Sequence, residues 1–120
     1  MSIIQQLAAL SEAAPDICQK AKFGRYQVGE YYFGENPNGT LHAIASGNPT
    51  DSNDALDLLT GALMRAIEAQ GWNYDILYDA DLALIGSSHW VGIGGGYRVA
   101  ADSKASALLA ALLAALEMSE

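Results

Sequence analysis

The chain has 120 residues, 51% of them apolar, with 14 acidic against 6 basic side chains and a formal net charge of −8. That length suits one domain with one core, and the apolar share excludes a disordered chain. The acidity argues against a nucleic-acid backbone or an anionic membrane as partner, since both require a basic surface. It fits a soluble, cytoplasmic protein, or one that mimics a polyanion in a partner's basic groove.

In "MSIIQQLAALSEAAP", Ser2 is a candidate cap, and Ile3, Leu7, Leu10 and Ala14 follow at helical spacing. No basic residues precede the apolar ones, so the stretch reads as a helix rather than a secretory leader. Pro15 interrupts it, and a further helical turn is expected over 16–22, ending near Gly24. The only cysteine, Cys18, can form no internal disulfide and reads as a small buried hydrophobe. Lys20, Lys22 and Arg25 hold half of the chain's basic charge within six positions. They are either a basic spot on an acidic body or the solvated end of a helix.

The period then changes. "RYQVGEYYFGENPNGTLHAIAS" carries β-favouring aromatics on both sides of a strong turn at Pro37, Asn38 and Gly39. It predicts a hairpin of 25–34 with 40–46. After the connection "GNPTDSND", a helix is expected from Asp51 or Asn53 to about Gln70, with Gly71 at its end. "WNYDILYD", "ALIGSS", "HWVGI" and "YRVAA" read as short strands. A last helix spans 104–117 behind Asp102 or Ser103.

Four glycines in "SHWVGIGGGYRVAADS" suggest a phosphate loop, but the next segment reads as a strand, and no Lys-Ser/Thr pair follows. The glycines are read as a turn between strands. His42 and His89 have no carboxylate at metal-ligand spacing, Ser87 and Ser88 lack a nucleophile elbow, and the acidic cluster Asp75, Asp79, Asp81 lacks the glycine and glutamate of a calcium loop. The expectation is no catalytic constellation, no metal and no cofactor.

Along the last helix Leu108, Leu109, Leu112, Leu113 and Leu116 make one stripe, with alanines opposite. Apolar on all sides, it needs burial on both. Either the first helix covers the alanine side or a second subunit does, through Ala107, Ala111 and Ala114.

Residues 50–117 resemble the phage α-β-α sandwich domain family of small bacteriophage and prophage proteins. The resembling parts are "TDSNDALDLLTGALMRAIEAQGW", the short aromatic strands that follow, and "YRVAADSKASALLAALLAAL". The resemblance implies a phage accessory gene and carries over no site residues, because the family has no established activity. Residues 1–49 form a helix and hairpin extension outside it.

The fold expected is α+β: an antiparallel sheet with helices packed on it in one domain, α/β/α sandwich-like. Three function classes follow. One is a non-enzymatic phage accessory protein that binds a host protein, for example an anti-defence inhibitor. Another is a binder that sequesters a small molecule or nucleotide signal, with Arg98, Trp90 and Tyr78 as the residues to test; the plainer alternative pairs Arg98 with Asp75 or Asp79 and puts Trp90 in the core. The third is an acidic dimeric assembly or chaperone-like protein.

Overall fold

Ser2 caps the first helix, α1 (Ile3–Ala13). Its hydroxyl accepts from the Gln5 backbone N–H, and the Gln5 side chain accepts from the Ser2 N–H. This reciprocal box satisfies amides that a helix start leaves bare. The computed structural model describes residues 2–45, 48–49, 52–78, 89–94, 99–101 and 103–118.

Where a helical turn was expected over 16–22, the chain forms a strand, β1 (Cys18–Lys20). Pro15 has no N–H to carry α1 onward, and the next residues pair with β2 (Tyr26–Val28), Cys18 opposite Val28 and Lys20 opposite Tyr26. The single strand expected over 25–34 is two. Gly29, at φ +62°, turns the chain between β2 and β3 (Tyr31–Glu35). β3 then pairs with β4 (Leu41–Ala45), as expected, around the Pro37–Gly39 turn. In that turn Asn38 Oδ1 accepts from the backbone N–H and hydroxyl of Thr40. With the short β5 (Asn48–Pro49), these strands form an antiparallel sheet in sequence order, β1 to β5.

The long middle helix, α2 (Ser52–Ala69), starts with Asp54 in its first turn, where a carboxylate suits the helix dipole. It closes as the glycine predicts. Gly71 has φ +77°, its N–H donates to Glu68 O, and the Trp72 N–H reaches back to Ile67 O. A second antiparallel sheet follows, made of β6 (Tyr74–Tyr78), β7 (His89–Ile93) and β8 (Val99–Ala101) in that order. The last helix, α3 (Lys104–Met118), is capped by Ser103, whose hydroxyl accepts from the Ser106 N–H.

The fold is α+β with helices packed on antiparallel sheet, as expected, and the described strands form two sheets rather than one. α1 packs on β1 and β2, and α2 on β2, β3 and β4, while α3 lies on β7 and β8. Both α1 and α2 also pack on α3. This explains why α3 is apolar all round: one side meets the smaller sheet and the other meets helices. The α1–α3 contact includes the buried Gln6, whose Nε2 donates to Ser106 O while its Oε1 accepts from the Ser106 hydroxyl. One hydrophobic cluster joins Leu7 and Leu10, Phe33 and Ala43, Leu59 and Leu63, Val91, and Leu108, Leu109 and Leu112. Each leucine buried there stabilises the fold by about 1.5–3 kcal/mol. No described helix is long and apolar enough to cross a membrane.

Candidate binding site

The larger sheet turns Cys18, Val28, Phe33, Leu41 and Ala43 into the core. Strand alternation leaves Gln19, Gln27, Tyr32 and Ile44 on the opposite face, where the register sets them side by side across the four strands. Gly34 and His42 are opposed one row along.

At the edge of this face the turn Lys22–Gly24 joins β1 to β2. Phe23 at its centre has φ +62° and ψ 34° and is 87% exposed. A left-handed backbone costs a non-glycine residue about 1–2 kcal/mol, and water around a phenyl ring adds to the cost. Strain and apolar exposure at one residue are typical of functional positions. The Arg25 guanidinium lies 5.9 Å from the Phe23 ring centroid.

Arg25 is oriented from the other side by His42. Its Nε–H donates to His42 Nε2 at 3.3 Å. A nitrogen that accepts carries no proton, so this imidazole is neutral with its hydrogen on Nδ1. Burial, and then the positive charge of Arg25, hold the His42 pKa below its ordinary value of 6.5. Nδ1 is itself buried and has no hydrogen-bond partner among the described residues, a cost of about 1–3 kcal/mol. The ring has room because residue 34 is glycine. A Cβ there would lie 2.8 and 2.9 Å from His42 ring atoms and 3.1 Å from Arg25 Cγ.

Lys20 and Lys22 stand exposed beside Arg25. Among the described residues, no carboxylate forms an ion pair with any of the three. Together with Phe23, Gln27, Tyr32 and Ile44, they surround a groove of about 470 Å³. The basic trio is therefore a basic spot and not a helix end. Sequence reasoning passed over Phe23 and Gly34; the signal available for the first was a large apolar residue set among cations just before a glycine.

The other residues singled out from the sequence lie elsewhere. Arg98 and Asp79 fall outside the described residues, as do "ALIGSS" and Gly95–Gly96. Trp90 pairs with Leu77, and Tyr78 with His89, so Trp90 and Tyr78 stand on opposite faces of the smaller sheet. Trp90 does not pack against the core cluster; its neighbour Val91 takes that place. Tyr78 is 62% exposed, its ring 5.0 Å from that of His89. Ala107 and Ala111 are buried within the single chain, at 0% and 2% exposure, and Ala114 is half-buried. The helix that carries them is packed by α1, α2, β7 and β8 of the same chain. Gly94 turns at φ +65° between antiparallel strands, and β8 rather than a helix follows. Cys18 is buried and its Sγ–H donates to Leu7 O at 3.5 Å; burial pushes its pKa up to about 12.

Comparison with known protein families, curated proteins and solved structures finds no match to this chain.

Proposed function

We propose that this is a non-enzymatic binding protein that engages a partner protein through the Lys20–Arg25 edge and the outer face of β2 to β4. The observation that carries the reading is Phe23: an exposed, projecting phenyl ring on a left-handed backbone, set among three cations that have no carboxylate partner among the described residues. Aromatic residues and arginine dominate binding energy at protein interfaces. A projecting ring suits insertion into a partner's pocket. The net charge of −8 disfavours acidic partners in general, and this basic spot gives them a place to approach. The phage accessory setting, with a host protein such as a defence component as the partner, is supported by the resemblance of residues 50–117.

A second reading, a small-molecule binder, is favoured by the groove beside Arg25 and Tyr32, whose volume of about 470 Å³ falls in the range of ligand pockets. Affinity capture from host lysate separates the two. A protein partner should be retained by the wild type and lost with Phe23→Asn and with Arg25→Gln. Equal capture by all three would remove the first reading. A small-molecule mass increment in native mass spectrometry, lost in Arg25→Gln, would establish the second.

A further inference from the structure

We infer that Arg25, held by His42 in a space that Gly34 leaves open, is an oxyanion-binding residue whose ligand is a carboxylate or phosphate group. The inference deepens the proposed binding face and rests on that reading for the larger molecule that bears the oxyanion.

An arginine inside a folded protein is usually oriented by a carboxylate, which also cancels its charge. Here a neutral imidazole does the orienting through Nε at 3.3 Å, so the charge remains. No described acceptor takes the N–H groups on the Nη atoms of Arg25. They are the part of the guanidinium that binds an oxyanion in a two-pronged grip. Lys20 and Lys22 add positive charge beside the same groove, and Tyr32 and Ile44 give it an apolar wall.

The cost of the arrangement supports the assignment independently. His42 keeps a buried Nδ1 without a partner among the described residues, and buried polar groups left unpaired are rare enough to call for an explanation. Using His42 only to orient Arg25 provides one. His42 is thus a positioning residue, and Arg25 makes the contact.

The test is an NMR titration of the ¹⁵N-labelled full chain, following the Arg25 Nε–H and the His42 ring. Inorganic phosphate is one probe, and hexaglutamate peptide with blocked ends is the other. The result expected is saturable shifts at Arg25 with a Kd on the order of millimolar for phosphate. Arg25→Gln should weaken binding by at least about tenfold, and Arg25→Lys by several-fold, because lysine keeps the charge and loses the fork. His42→Leu should weaken it several-fold, and His42→Gln, which retains an acceptor, should restore most of the loss. A peptide at least about tenfold tighter than phosphate assigns the oxyanion to a protein partner; phosphate as tight or tighter assigns it to a free anion. Absence of saturation with both probes up to about 50 mM overturns the inference, as do shifts that persist in a folded Arg25→Gln variant. If partner capture fails while the phosphate titration succeeds, the docking reading falls and this one stands.

Discussion

Gly34 and His42 face each other across β3 and β4, and the side chain that glycine lacks is the space the imidazole fills. The strand pairing thus links a backbone choice on β3 to the orientation of Arg25, which bonds to the same ring. Stability alone would favour a different pair: a β-branched residue on β3 and an apolar or fully bonded one on β4. The pair present leaves one buried nitrogen without a partner among the described residues and one guanidinium without a counter-ion there.

Gly34→Ala separates fold from site. Its Cβ would fall 2.8 Å from the far end of the His42 ring, which can rotate away. Stability should fall by only about 1 kcal/mol. The bond from Arg25 to His42 should be lost, and the His42 pKa should move back toward 6.5 as the ring leaves its burial and the guanidinium. Denaturant melts and an imidazole NMR titration read the two effects separately. An unchanged His42 titration would show that glycine is not needed for the ring's position.

The depressed His42 pKa sets a pH dependence with a definite sign. Below pH 6.5 the unfolded chain takes up a proton at residue 42 that the folded chain refuses, so stability falls with falling pH. The loss continues until the folded imidazole is protonated at its own, lower pKa, where it can no longer accept from Arg25. Melting midpoints between about pH 7.5 and 5.5 should therefore drop further for the wild type than for His42→Gln. His89 and the carboxylates are common to both proteins and cancel in the difference. A parallel fall in the two would mean that residue 42 is not depressed.

Cys18 should be inert while the chain is folded. Its thiol is buried, donates to Leu7 O and has its pKa pushed up to about 12, so almost no thiolate exists at neutral pH. A thiol-reactive disulfide reagent should label it only at the rate of unfolding. The same shift predicts an alkaline loss of stability. Above the ordinary value of 9.0 the unfolded thiol ionises and the folded one does not, so stability declines with rising pH until about 12. Cys18→Ala should flatten that part of the curve.

The elements that rest on local rules were legible in the sequence. Ser2, Gly71 and Ser103 act on neighbouring backbone, and each does so where the residue type indicates. The Pro37–Gly39 turn belongs with them. What local rules leave open is decided by partners distant in the chain. Residues 18–20 carry no strong strand pattern and become a strand because 26–28 offers them a ladder. The split at Gly29 rests on one positive φ, and the division into two sheets on which strands find partners along the chain. The site was half legible. Lys20, Lys22 and Arg25 cluster in sequence, whereas the Gly34–His42 register and the left-handed backbone of Phe23 exist only in the folded chain.

Ala111→Glu should unfold the protein rather than merely dissociate it. Ala111 is 2% exposed in the single chain, on a helix packed by α1, α2 and the smaller sheet. A carboxylate there has no room and would be buried, and the loss should be several kcal/mol. Glu117, which is exposed, should be replaceable by alanine within about 0.5 kcal/mol. Urea melts at two protein concentrations distinguish the cases. A midpoint for Ala111→Glu that depends strongly on concentration would restore the alanine side as an interface between copies.

Phe23 is where stability and binding should part most clearly. Its φ of +62° lies in the region that only glycine, and to a lesser degree asparagine, adopts at small cost. At 87% exposure its ring contributes almost no burial to the core. Phe23→Asn therefore relieves strain and removes an exposed apolar surface while leaving the packed interior unchanged. The variant should melt a few degrees higher than the wild type, the gain approaching about 1 kcal/mol. The same substitution should abolish capture of a protein partner, because the projecting ring is lost. Leu59→Ala is the contrasting case: fully buried in α2, it should cost about 2–5 kcal/mol and affect binding only through unfolding. A residue kept for the fold gives losses in both assays, and one kept for docking gives a gain in the first and a loss in the second. If Phe23→Asn instead lowers the melting temperature, the ring is part of the fold, and the exposed phenylalanine ceases to argue for a partner.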